Sequence, residues 1–305
     1  MSIRNGQIVV GVDDSPQSLA AVRWAAREAA LHKNELTLVN VITSDFHTPS
    51  PWAGVPVYPS SAHLRRAQMA AYQKLQAAQR AAMDAIGPSD SLRVHHEVLM
   101  GPVAATLTAA AQHADMLAVG CGNRNVAFRT LFGSTRSDLI HRARCAVAFI
   151  HNNHAHTARS PQDPVLVGVD GSPASDEAIE IAFDEASRRG VDLIAFHAWN
   201  DEGPINFGRP AHAPIEWANF KAEESEVLGE RLAGWGDRYP DVAVRKIVAA
   251  DRPVPGLLRL AQKAQLLILG SHDDRFIDRL HRSVRSAVVA ASAIPVIIAG
   301  HTRRV

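Results

Sequence analysis

The chain carries the same nine-residue opening twice: Ile8–Pro16 reads IVVGVDDSP and Val165–Pro173 reads VLVGVDGSP. By their numbers Asp13 and Asp170 stand 157 positions apart, while Gly120 and Gly270, each closing a later apolar run, stand 150 apart. A spacing held within a few residues over the whole chain is an internal duplication, so the 305 residues must build one architecture twice. Each copy then has about 150 residues, an ordinary size for a domain with its own core.

Within each copy the order of elements is the same. A β-branched run from Ile8 breaks at Asp13-Asp14-Ser15-Pro16, where Ser15 supplies an N-cap and Pro16 a first-turn proline. Leu19, Val22, Ala26 and Ala29/Ala30 then recur at helical spacing, and the second opening leads into a helix over 176–189. Apolar runs at 36–42 and 193–199 predict the next strands, followed by Pro-rich loops over 43–61 and 200–214 that are candidate lids, dimer contacts or variable surface. Long amphipathic helices are expected over 63–86 and 216–238, strands over 92–99 and 242–249, and short helices from Pro102 and Pro253. Strands over 116–119 and 266–269 and last strands at 146–150 and 295–299 complete the copies, with a helix-like segment from Thr135 to Ala143 in the first. Helices alternating with short apolar strands predict an α/β fold: two tandem flavodoxin-like (Rossmann-like) doubly wound domains. The first domain takes 1–151, a polar linker 152–164 and the second domain 165–305.

Composition excludes several classes of partner. With 32 basic and 31 acidic side chains the net charge is +1, which gives no electrostatic footprint for nucleic acid or an anionic membrane. No apolar run approaches the roughly 18 residues of a membrane span, and the N-terminus lacks a signal-type apolar region, so a cytoplasmic location is expected. The two cysteines, Cys121 and Cys145, without CxxC spacing, suit a reducing compartment.

In open parallel sheets, ligands bind outside the carboxyl ends of the strands where strand order reverses, which would bring the Asp13 turn and the Gly120 loop to one crevice. The VGVDDSP and VGVDGSP openings and the loop Gly120–Ser134, GCGNRNVAFRTLFGS, resemble those of the universal stress protein family. That resemblance covers both halves and implies a five-stranded doubly wound sheet in each, frequent homodimers, ATP binding in many members, and regulation of stress response or growth through protein partners. Nucleotide-binding members carry Gly-x2-Gly-x9-Gly-(Ser/Thr) in the loop. Here Gly120, Gly133 and Ser134 match, Asn123 takes the place of the second glycine, and Gly122 lies one position early. The resemblance thus implies an ATP site, with Mg2+ as a possible companion, formed by Gly11, Asp13, Val41, Gly120, Cys121, Gly122, Asn123, Arg124, Gly133, Ser134 and Thr135. Asn tolerates φ > 0 better than other non-glycine residues, which keeps the loop able to close around phosphate.

The second copy offers Gly168, Asp170, Gly270, Ser271 and Ser283, but Asp273 replaces the second glycine and Arg282 the last. Asp273 and Asp274 would repel phosphates, so ATP is expected chiefly in the first domain. Asp13 and Asp170 equally fit a purely structural role, capping the helix that follows. Val41 equally fits plain core, and Cys121 a small buried residue rather than a redox-sensitive thiol. Walker-type, HExxH and GxSxG motifs do not occur, and His151, His154 and His156 read as solvated linker histidines rather than a metal site. Three functions stay open: a nucleotide-binding regulator, a nucleotide-independent docking protein with lapsed sites, and a slow ATPase, catalysis being the least supported.

Overall fold

The computed structural model describes residues 6–43, 60–87, 91–122, 129–151, 160–173, 175–199, 214–250, 252–271 and 278–300. The chain divides into two compact units between Asn152 and Asn153.

In unit 1 the strands are β1 (Gln7–Gly11), β2 (Glu35–Ile42), β3 (Val94–Met100), β4 (Met116–Cys121) and β5 (Ala146–His151), alternating with helices α1 (Pro16–His32), α2 (Ser61–Met83), α3 (Val103–Ala110) and α4 (Arg129–Arg142). All are parallel, in the order β3-β2-β1-β4-β5, with Val10 registered against Leu38 on one side and Ala118 on the other. Strand order therefore reverses between β1 and β4. The inner strands are covered on both faces and read as unbroken apolar runs: Ile8, Val10, Leu36, Leu38, Leu117 and Phe149 are at most 1% exposed. The edge strand β3 instead alternates between exposed and half-buried residues, because only one of its faces meets the core.

Unit 2 repeats this plan with β6 (Val165–Val169), β7 (Leu193–Trp199), β8 (Val244–Ala250), β9 (Leu266–Leu269) and β10 (Val296–Ile298), and helices α5 (Ser175–Arg189), α6 (Pro214–Arg231), α7 (Trp235–Arg238), α8 (Pro253–Ala261) and α9 (Asp278–Ala291). Its parallel order is β10-β9-β6-β7-β8, with the reversal between β6 and β9. Residues 160–164, which the sequence assigns to the linker, are held to this unit by Gln265, whose backbone N–H donates to Pro164 O (3.0 Å) and whose side chain donates to Pro161 O (2.9 Å). Among the described residues no helix is long and apolar enough to cross a membrane.

Two elements depart from the periodicity. The helix expected over 216–238 is interrupted at Gly234, whose φ of 79° only glycine adopts readily. The break turns Trp235 and Tyr239 onto Phe183 of α5, each with ring centroids 5.6 Å from it, and aromatic stacking there outweighs one more turn of regular helix. Helix α4 begins at Arg129, six residues before the expected Thr135. Glycine lowers helix propensity without forbidding helix, so Gly133 marks no boundary.

The start of α1 is as the sequence predicts: Ser15 is the N-cap, its hydroxyl accepting from Ser18 N (3.1 Å), with Pro16 in the first turn. Replacing Ser15 by Ala removes this bond together with the one its hydroxyl donates to Asp13, and is expected to lower unfolding free energy by about 1–2 kcal/mol in urea titration.

Candidate functional site

At the carboxyl end of β1 the chain leaves the sheet through Val12, Asp13 and Asp14. Asp13 Oδ1 accepts from Ser15 N (2.8 Å) and from Ser15 Oγ (2.6 Å), while Asp13 N donates to Ser18 Oγ (3.0 Å), which in turn donates to Gly11 O (3.3 Å). The carboxylate thus organises the capping serine rather than capping the helix itself. Buried Asn40 of β2 closes the turn from below, donating to Val12 O (2.7 Å). Lys74 of α2 pairs with Asp14 at 2.8 Å, and that hydrogen bond holds the Asp14 carboxyl below its ordinary range.

The end of β4 lies directly against this turn. A Cβ on Gly120 would fall 2.4 Å from Gln17 C, 2.5 Å from Gln17 O and 2.6 Å from Ser18 N, all backbone atoms of the first turn of α1. Gly120 is therefore glycine because a helix rests on it. Gly11 is confined more mildly, with Leu107 Cδ1 of α3 at 3.0 Å. Gly122 is the opposite case: it is exposed, and a Cβ there would meet none of the described residues within 4 Å. The structure thus places Gly11, Asp13, Gly120, Cys121 and Gly122 together at the neighbouring carboxyl ends of β1 and β4, where strand order reverses. Val41 lies near the end of β2, half-buried and paired in register with Leu99. Gly133, Ser134 and Thr135 lie inside α4, one turn beyond its start, and Asn123 and Arg124 fall outside the described residues.

Cys121 is buried, and burial pushes its thiol up from an ordinary 9.0 to about 12 despite the neighbouring Arg136 guanidinium, which pulls the other way. Burial likewise raises Cys145 to about 11. Both are protonated, weakly nucleophilic thiols at neutral pH, in line with the small-buried-residue reading.

Unit 2 rebuilds the turn with more bonds. Asp170 Oδ1 accepts from Ser172 N (3.0 Å), Ser172 Oγ (2.6 Å) and Ser175 Oγ (2.7 Å), and Gly171 takes a left-handed φ of 77° where unit 1 has Asp14. The position of Asn40 is taken by His197, buried, which donates from Nδ1 to Val169 O (2.7 Å) and sets Nε2 2.8 Å from Glu224 of α6. Ser271 is buried with its hydroxyl donating to Gly300 O at 2.8 Å, and Ser283 lies within α9. Of the second loop, Asp273 and Asp274 fall outside the described residues.

At the reversal point of unit 2, the carboxyl ends of β6, β7 and β9 border a cavity of about 160 Å³. Of the residues singled out in the sequence of this copy, Gly168, Asp170 and Gly270 line it, together with Phe196, Leu257 and Arg285. The sequence reading misses Arg285, only 6% exposed, and its counterpart Arg136. The available signal is the arginine two positions after the loop's last serine in both copies, Ser134-Thr-Arg136 and Ser283-Val-Arg285. It also misses Ser18 and Ser175, each three residues after the first serine of its opening.

The sequence profile of the universal stress protein family matches residues 5–151 and again 162–300. A universal stress protein of Mycobacterium tuberculosis is 44% identical over 299 residues, covering 96% of this chain and 94% of the relative. Another, from Mycolicibacterium smegmatis, is 41% identical over 294 residues, covering 95% and 96%. Among solved structures, a universal stress protein from Archaeoglobus fulgidus superimposes with a TM-score of 0.68, covering 98% of this chain and 97% of that one, at 16% identity, a likeness of fold.

Two outcomes test this geometry. Gly120→Ala sets a methyl into the α1 backbone and is expected to destabilise unit 1 by about 1–3 kcal/mol in urea titration. Because the folded Cys121 thiol titrates near 12 and the unfolded one near 9.0, its contribution to stability is complete below about pH 9 and fades as pH rises toward 12. Stability measured against alkaline pH is therefore expected to fall, and to fall less steeply in Cys121→Ala.

Proposed function

Since this chain belongs to the universal stress protein family, we propose that it is a nucleotide-binding regulator of stress response or growth, holding ATP chiefly in the crevice of unit 1. The observation that carries this reading is the contrast between two glycines of one strand end. Gly120 has its side-chain space filled by α1, whereas among the described residues nothing comes within 4 Å of a Cβ on Gly122, so none of them explains its lack of a side chain. A glycine of the second kind lets backbone N–H groups approach a phosphate closely.

The rest of the crevice fits the group. Among the described residues the carboxylate hydrogen bonds of Asp13 all fall on Oδ1, which leaves Oδ2 for a ribose hydroxyl. Val41, half-buried at the end of β2, offers apolar surface to a base. Bound ATP, with Mg2+ as counter-charge, would supply a ligand-dependent conformation for protein partners to read in a cytoplasmic homodimer. For unit 2, the commitment of Ser271 to Gly300 O favours the second reading, a crevice lapsed for nucleotide.

Isothermal titration of the full chain with ATP tests the proposal. Gly122→Val is expected to leave urea stability unchanged, because none of the described residues meets a Cβ there, and to weaken ATP binding at least about tenfold, or 1.4 kcal/mol. No ATP binding by the wild type, or equal affinity in the variant, would overturn it.

A further inference from the structure

We propose that the cavity of unit 2 is a site for a small carboxylic acid anion with a body about the size of a benzene ring, anchored by Arg285. Size is the first ground. At about 160 Å³ the cavity falls below the roughly 300 Å³ at which drug-sized ligand sites begin, which suits a small body. A cavity of about 150 Å³ walled by Leu, Ile and Phe holds benzene.

The wall supplies the second ground. Phe196, Leu257, Leu269 and Val284 line it alongside Arg285, so it can accept an apolar body and a single anionic head. Arg285 is 6% exposed, and a guanidinium shielded from water binds a carboxylate more strongly than it would at the surface. Its planar fork matches both oxygens of a carboxylate at once. Among the described residues of the wall the carboxylate is Asp170, whose Oδ1 accepts from three donors of Ser172 and Ser175. A bound anion therefore sets its head toward Arg285 and away from the β6 turn.

The site stands apart from the proposed ATP crevice in unit 1, and the two are separated by titrating the full chain with benzoate, with its neutral isostere benzamide, and with ATP. Benzoate is expected to bind and to raise the melting temperature, with benzamide at least about tenfold weaker, because it lacks the charge-assisted pair. Arg285→Met should cost benzoate a similar factor and Arg285→Lys less. Ala198→Leu, which fills the cavity from β7, should abolish benzoate binding and leave ATP binding unchanged. Should Arg285→Met fail to fold, benzamide on the wild type and Ala198→Leu still decide. The proposal is overturned if benzoate does not bind, if benzamide binds equally well, if Ala198→Leu binds benzoate as the wild type does, or if ATP displaces benzoate.

Discussion

The hydrogen bonds that Asp13 and Asp170 accept are the interaction on which each unit depends. A parallel strand that ends in the middle of a sheet must release its chain sharply, and the backbone groups of that turn leave the ladder and need other partners. One carboxylate oxygen gathers the amide and hydroxyl of the following serine, Ser15 or Ser172, and in unit 1 that serine then caps the helix. A second serine three residues on ties the turn back to the strand end, through Gly11 O in unit 1 and through Asp170 in unit 2. The position of α1 over β4, the close approach at Gly120 and the crevice beside it all follow from that exit angle.

Much of this was legible in the residues. The duplicated openings gave the two units, unbroken apolar runs gave inner strands covered on both faces, and Ser15-Pro16 gave the start of α1 to the residue. The expected bounds of the other strands differ from the observed ones by at most two residues, ladder hydrogen bonds carrying β2, β4 and β5 past the apolar run while β3 and β8 start two residues later and β10 is shorter. What stayed hidden depended on contacts distant in sequence. The helix expected over 216–238 runs through Gly234, and the break there is explained only by Phe183, some fifty residues earlier, which stacks on Trp235. Gly120 looked like a phosphate-loop glycine, and only the backbone of Gln17 reveals its packing role. Arg285 carries no local sign of its burial, since an arginine on a helix ordinarily faces solvent, and only the packed structure places it at the cavity.

The two copies also show how one frame tolerates different chemistry. Asn40 and His197 occupy equivalent strand positions and satisfy the same carbonyl, of Val12 and Val169 respectively. The histidine has a second ring nitrogen, and Glu224 meets it, so unit 2 gains a polar tie between β7 and α6. Cys121 and Ser271 are likewise equivalent: the first is a buried thiol beside Arg136, while the second gives its hydroxyl to Gly300. Divergence is concentrated at the carboxyl ends of the strands, where changes alter what a crevice can hold, and is slight along the strands, where a change would cost core packing.

The bare contact between Gly120 and the first turn of α1 has a mechanical consequence. Where two elements meet through side chains, rotamer changes absorb small displacements, but here backbone faces backbone and nothing is available to yield. The end of β4 and the 17-residue α1 must move as one stiff piece, so a tilt at the crevice is carried along a rod of roughly 25 Å. Its far end, around His32, travels furthest, and amplitude there grows with distance from the pivot rather than with the strength of any contact made along the way.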